Sequence, residues 1–284
     1  ERYGLRKDQV FVGVGSDDVL SMCFLTFFNS EKPVFFPDIT YSFYKVWADL
    51  YRIPYECKKV DENFHIIKED YYLENGGVIF PNPNAPTSIY EDLEFVEDII
   101  RHNQDVIVIM DKAYIDFAGE SALSLLDKYD NLIITQTFSK ARSMAGMRIG
   151  YAIASLLLIK YLNDAKYSFN SYTMNKTSLV YGAEAVKDKE YFAETTRKIV
   201  ETRDWAEEEF KKLGFVFPKP SANFIFVSHP EYDAKELFEA MKAKGIYVRF
   251  WGSERIEQYL RVTIGTREEM EALFAFLREY MMKC

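Results

Sequence analysis

The chain has 284 residues, 48% of them hydrophobic, enough apolar material for a substantial core in one large domain or in a large and a small one. A net charge of −9 and a pI near 5.1 argue against nucleic acid as the main partner, because phosphate backbones are met by basic patches. Apolar runs such as Leu156-Leu157-Leu158-Ile159 fall short of the roughly 20 residues that span a bilayer, and Cys23, Cys57 and Cys284 are scattered. Neither a membrane anchor, a disulfide framework nor a zinc site is indicated, and a cytoplasmic compartment is expected.

In chain order, Val12-Gly13-Val14-Gly15-Ser16-Asp17-Asp18 reads as a glycine-rich entry to a helix running through Val19, Leu20, Cys23, Phe24 and Phe27. Free N–H groups and the positive dipole end at such a start suit an anion. Strands are predicted at Val34–Phe36, Val78–Phe80, Val106–Met110, Leu132–Thr135 and Tyr151–Ala154. A helix separates two of them, with Leu93, Val96, Ile99 and Ile100 on its dry face and an acidic wet face. Prolines at 81, 83 and 86 stiffen the loop Asn82–Ser88, where Asn84 is placed to aim an amide. Residues 175–213 read as a long charged helical segment bridging two domains, followed by strands at Phe224–Val227, Ile246–Val248 and Leu260–Ile264 and helices near 233–244 and 267–282. The alternation of strand and helix predicts an α/β fold: a large domain over residues 1–180 with a mostly parallel sheet flanked by helices, then a smaller α+β domain over 181–284. His65, His102 and His229 lie apart and read as solvated.

The chemistry concentrates at strand ends, where open α/β sheets collect ligands. In Thr137-Phe138-Ser139-Lys140-Ala141-Arg142 a lysine follows a strand beside two hydroxyls, and Arg148 follows in Gly146-Met147-Arg148. A lysine amine forms a Schiff base with an aldehyde, of which pyridoxal phosphate is the usual example. Thr137, Ser139 and the guanidinium of Arg148 suit the phosphate of such a cofactor. Asp111 closes a continuous apolar run, so its carboxylate can pair with a protonated pyridine nitrogen, and Tyr114 can reach a phenolic oxygen. Each has a plainer reading: a solvated lysine, a capping aspartate, an exposed turn tyrosine.

Taken in order, these segments resemble fold-type-I pyridoxal-phosphate aminotransferases over nearly the whole chain, and their wording most resembles the histidinol-phosphate aminotransferases. Val12–Asp18 resembles the family's phosphate-binding entry, with Gly15, Ser16 and Asp17 at the cofactor. Pro37–Tyr41 resembles the segment whose aromatic ring, here Tyr41, stacks on the pyridine. Asn82–Ser88 resembles the NPNNPTG loop, Asp111–Tyr114 the DEAY segment, Thr137–Lys140 the Schiff-base segment, and Tyr259–Thr266 the LRITVGT strand. The resemblance implies pyridoxal 5'-phosphate as cofactor, Lys140, Asp111 and Tyr114 as catalytic residues, and a homodimer acting on small molecules.

Arg261, with Arg249, would hold the phosphate of a phosphorylated amine, and Asn223 would orient one of them. The implied reaction is transamination between histidinol phosphate and 2-oxoglutarate, giving imidazole acetol phosphate and glutamate in histidine biosynthesis. Threonine-phosphate decarboxylase, an aromatic aminotransferase, or a non-catalytic relative serving as a binding module are the alternatives. The sequence departs from the family at Val14, Ala85, Ser88 and Lys112, and strand alternation is expected to turn Lys112 away from Asp111. The family's polypeptides begin considerably upstream of Glu1 with an arm that reaches the neighbouring subunit, so a shortened chain or an unusual member is expected, with full activity depending on that segment.

Overall fold

A computed structural model describes residues 4–282. Its first sheet has seven strands: β1 (Val10–Gly13), β2 (Val34–Pro37), β3 (Tyr55–Lys58), β4 (Gly77–Pro81), β5 (Val108–Asp111), β6 (Leu132–Thr137) and β7 (Gly150–Ala154). They lie in the order β1-β7-β6-β5-β4-β2-β3. Only β7 runs against its neighbours, so β1 to β6 all point their C-terminal ends to one edge. β2, β4, β5 and β6 are buried at every position, which is why they read as unbroken apolar runs.

Helices α1 (Ser16–Phe27), α2 (Phe43–Tyr51), α3 (Leu93–His102) and α4 (Leu156–Phe169) flank this sheet. One face packs Val19, Phe24, Tyr44, Trp47 and Leu162 against Ile79, Ile109 and Ile133. The opposite face packs Val96, Ile99 and Ile100 against Phe80, Val108 and Ile134. α3 starts where Asp92 caps it, its carboxylate accepting the Phe95 N–H at 2.8 Å. β5 begins at Val108 and not at Val106, because the Val106 N–H turns back to the Asn103 carbonyl.

The segment 175–213 is two helices, α5 (Lys176–Lys187) and α6 (Lys189–Lys212), and not one. Asp188 between them ends the first, its N–H bonding the Glu184 carbonyl, and caps the second, its carboxylate accepting the Tyr191 N–H. Residue 180, the predicted boundary, lies inside α5, whose Gly182 sits against Ile149 of the first sheet's side.

Beyond α6, strands β8 (Phe224–Val227), β9 (Arg249–Phe250) and β10 (Leu260–Thr263) form an antiparallel sheet in the order β8-β10-β9, with helices α7 (Ala234–Ala243) and α8 (Arg267–Met281). The strand expected at Ile246–Val248 lies three residues later. Ile246 and Val248 pack on the core as irregular chain, and the ladder forms only where Arg249 and Phe250 meet Arg261 and Leu260. Ile225, Val227, Leu260 and Val262 face a core built with Phe210, Leu237 and Phe274. Alternation turns Phe224, Phe226, Arg249 and Arg261 to the opposite face, toward the first sheet.

Three contacts fix the second sheet to the first. The fully buried Ser88, at φ 66°, accepts the Ser221 and Ala222 N–H groups on its hydroxyl at 3.0 and 2.8 Å. Arg203 of α6, also buried, donates one nitrogen to both the Phe117 and Ala222 carbonyls at 3.1 Å. Arg255 pairs with Asp38 at 2.9 Å and donates to the Val60 and Asp61 carbonyls.

Candidate active site

A crevice of about 790 Å³ lies along the C-terminal edge of the parallel strands, roofed by the second sheet. Strand ends deliver its residues: Ser16 and Asp17 after β1, Tyr41 after β2, Ala85 after β4, Asp111 and Tyr114 at and after β5, and Ser139 and Lys140 after β6. Because β7 is antiparallel, its start lies at the same edge, with Gly150 opposite both Gly13 and Thr137. Arg148 is thereby brought to the N-terminus of α1.

Two glycines permit that approach. A Cβ on Gly150 would lie 2.2 Å from the Gly15 carbonyl carbon, and one on Gly15, at φ 88°, would lie 2.5 Å from Nη2 of Arg148. The result is a seat for an anion: unpaired N–H groups and positive dipole of α1, the Ser16 and Ser139 hydroxyls, and a guanidinium. Arg148 is 3.9 Å from Asp17, which accepts the Tyr41 hydroxyl at 2.8 Å. That bond tethers the Tyr41 ring, and burial followed by the Asp17 charge pushes the phenol pKa up. Thr137 stands behind: its hydroxyl donates to Ser139 Oγ at 3.0 Å and accepts the Ser139 N–H at 3.1 Å, shaping the turn that presents Ser139 and Lys140.

Asp111 is buried at the base of the crevice. Tyr44 donates to its Oδ2 at 2.9 Å, while the Ala113 N–H and the Thr135 hydroxyl approach Oδ1 at 3.3 and 3.4 Å. Burial raises its pKa to about 6, and those donors only partly oppose the rise. A carboxylate so placed favours a cation beside it. Lys140 Nζ lies 5.3 Å from the centroid of the Tyr114 ring, which stands edge-on to Phe224 at 5.0 Å.

Lys112, next in line, turns the other way as expected and donates to Ser121; burial depresses its pKa to about 7. Four predicted residues do not line the crevice: Gly15 and Thr137 shape it from behind, and Asn84 and Asn223 are engaged elsewhere. Asn84 is buried behind it, its amide donating to the Ile39 carbonyl at 2.9 Å and the Thr87 hydroxyl at 3.0 Å while its oxygen accepts from Thr40. Its hydrogens are consumed in holding the 39–40 turn, and Ala85 and Pro86 present apolar surface in its place. Asn223 contributes its carbonyl to the Ile264 N–H at 2.9 Å, a bond between strands.

In the roof, Arg249 and Arg261 are direct cross-strand neighbours on the crevice face. Arg261 is largely buried, its Nε without a hydrogen-bond partner among the described residues, and burial together with the Arg249 charge lowers its pKa despite the Tyr114 phenol. Two like charges held opposite each other destabilise the ladder unless an anion joins them. Sequence reasoning missed Tyr44, Thr135 and Trp251. Thr135 had a signal, since parallel pairing of the two apolar runs sets it beside Asp111; the other two had none.

A lysine amine, a buried acid, a tethered aromatic wall and an anion seat match the aldehyde, ring nitrogen, ring face and phosphate of pyridoxal 5'-phosphate, so the residues fit that cofactor. The family described as aminotransferase class I and II matches residues 2–277. A histidinol-phosphate aminotransferase of Lactococcus lactis subsp. lactis (strain IL1403) is 47% identical over 279 residues, covering 98% of this chain and 78% of that one. The crystal structure of the histidinol-phosphate aminotransferase from Clostridium acetobutylicum superposes with a TM-score of 0.90 at 22% identity, covering 100% of this chain and 86% of that one. That of the Sinorhizobium meliloti enzyme in complex with pyridoxal-5'-phosphate gives 0.85 at 22% identity, with 98% and 79% covered. The chain belongs to the class I and II aminotransferases and, within them, to the histidinol-phosphate aminotransferase family.

Proposed function

We propose that this chain catalyses pyridoxal-phosphate-dependent transamination between histidinol phosphate and 2-oxoglutarate, a step of histidine biosynthesis. The observation that carries the reading is the convergence of Lys140, Asp111, the α1 anion seat and the Arg249–Arg261 pair on one crevice. When bound, the cofactor supplies an aldehyde that takes up an amino group and a ring that delocalises the electrons left behind by a departing proton.

The protein's own residues do the rest. Ser16, Ser139, Arg148 and the first N–H groups of α1 hold the cofactor phosphate, and Tyr41 bears on one ring face. Asp111 keeps the ring nitrogen protonated, since its buried charge is stabilised only beside a cation. Lys140 Nζ removes the proton from the amine-bearing carbon of the substrate and returns a proton as general acid. Tyr114 donates toward the phenolic oxygen, a role made heavier by Ala85, which brings no amide to the crevice wall. Arg249 and Arg261 bind the substrate phosphate as two guanidinium forks.

We further assign the cofactor-binding large domain to residues up to Asp188, between α5 and α6, and the small domain to the remainder. A cytoplasmic homodimer completes the reading. The test is reductive trapping: after incubation with pyridoxal 5'-phosphate and borohydride, peptide mass spectrometry should find the reduced cofactor on Lys140 and nowhere in a Lys140→Gln variant. A folded, cofactor-exposed chain with no adduct at Lys140 would end the proposal.

A further inference from the structure

Among the described residues the two guanidinium groups of the roof have no acidic partner; both lie over one indole. The Arg249 Cζ is 5.4 Å and the Arg261 Cζ 5.6 Å from the centroid of the Trp251 ring, within the range of cation–π attraction. Arg261 also lies 4.9 Å from the Phe224 ring, so aromatic surface meets it from two residues. Trp251 is itself held: Phe226, fully buried and directly opposite Arg261 on the neighbouring strand, meets it in an edge contact at 6.5 Å. Phe226 in turn stacks on Tyr259 at 4.5 Å. Trp251 lines the crevice with both arginines.

Without the indole, Arg261 would keep the Phe224 ring, but nothing would bridge the two guanidinium groups against their mutual repulsion across the ladder. We infer that Trp251 is the positioning residue for substrate-anion recognition: it holds the two guanidinium groups as one preformed double fork and so selects a substrate ending in a phosphomonoester. The negative ring face offsets the like-charge repulsion and fixes both planes, leaving their N–H edges toward the crevice. A dianion with three acceptor oxygens engages both forks; an uncharged terminus engages neither. This inference rests on the assignment of Arg249 and Arg261 to the substrate phosphate.

The test is isothermal titration of the cofactor-loaded chain with L-histidinol phosphate and with L-histidinol, the same skeleton without the phosphate. Trp251→Leu is expected to weaken phosphate-ester binding roughly tenfold, the scale of losing two cation–π contacts, while leaving L-histidinol binding unchanged. Trp251→Phe should retain most of the affinity, since a smaller ring still offers a π face. Arg261→Gln should lose more than Trp251→Leu. Unchanged cofactor absorbance and unfolding temperature in Trp251→Leu separate positioning from general damage.

If Trp251→Leu binds the ester like the parent while Arg261→Gln does not, the role of Trp251 is refuted and the arginine assignment stands. Equal weakening of both ligands also refutes it, because that is what a merely structural residue gives. If the parent does not bind the ester, or neither Arg249→Gln nor Arg261→Gln weakens it, the substrate assignment itself fails.

Discussion

Replacing Asp111 by asparagine should make the cofactor-free protein more stable at neutral pH while abolishing its chemistry. The carboxyl is buried and its pKa is raised to about 6, against an ordinary aspartate value of about 3.9. The folded chain therefore binds more protons than the unfolded chain between those values, and stability falls as pH rises through that window. A gap of about two pH units corresponds to roughly 3 kcal/mol, fully charged against the fold above pH 6 and absent below pH 4. Asparagine has nearly the same shape, keeps an oxygen for the Tyr44 hydroxyl, and carries no charge. An amide hydrogen left unpaired would cost roughly 1 kcal/mol or more, so the expected net gain at pH 7.5 is about 2 kcal/mol. Denaturant unfolding of both proteins without cofactor, at pH 7.5 and at pH 4, measures it. The gain must shrink toward zero or reverse at pH 4. Equal destabilisation at both pH values would refute the reasoning, since it would mean that the carboxylate is not paying for its burial. Saturating pyridoxal 5'-phosphate should restore the advantage to the parent, whose carboxylate then has a protonated ring nitrogen beside it.

Lys112→Met should stabilise the fold at pH 7 and less so near pH 10. Burial lowers the lysine pKa to about 7, so the parent gains stability as pH rises from there toward the unfolded value of about 10.4, and a thermal-unfolding pH series reads the slope. Gly15→Ala should weaken cofactor affinity at least tenfold by titration, because the residue sits at φ 88° and its new methyl would lie 2.5 Å from Arg148 Nη2. Ser88→Ala should cost roughly 1–3 kcal/mol in denaturant unfolding, because the buried Ala222 N–H loses its acceptor while the Ser221 N–H keeps the Ser88 carbonyl at 2.8 Å and the backbone stays left-handed. Ser88→Gly should cost less, because the backbone strain disappears with the side chain; the reverse ranking would overturn that account.

What could be read from the sequence was whatever a single segment carries by itself. β2, β4, β5 and β6 are covered on both faces, so their burial is written as unbroken apolar runs, and Asp111, Ser139 and Lys140 follow from the positions where those runs stop. β1 and β3 escaped because neither is covered on both faces along its length, and α2 because its aromatic residues Tyr44 and Trp47 carry no clean stripe among Phe43, Val46 and Leu50. Asn84 lies behind the crevice for a different reason: an amide at a stiff loop has several equally good partners, and the carbonyl of Ile39 and hydroxyls of Thr40 and Thr87 come near it only through the fold.

The same holds for the parts of the site that depend on two segments at once. That Arg148 meets the start of α1 follows from β7 running antiparallel between β1 and β6, with Gly150 opposite Gly13 and Thr137. That Arg249 and Arg261 face each other follows from a register set where β9 begins, directly after the apolar run that suggested a strand. Chemistry that sits on one strand end is therefore legible in one dimension, whereas the two anion seats, each assembled across a ladder, require the pairing to be known. Trp251 belongs to the second kind: in sequence it is one aromatic residue among many, and only the cross-strand meeting of two arginines gives its ring something to hold.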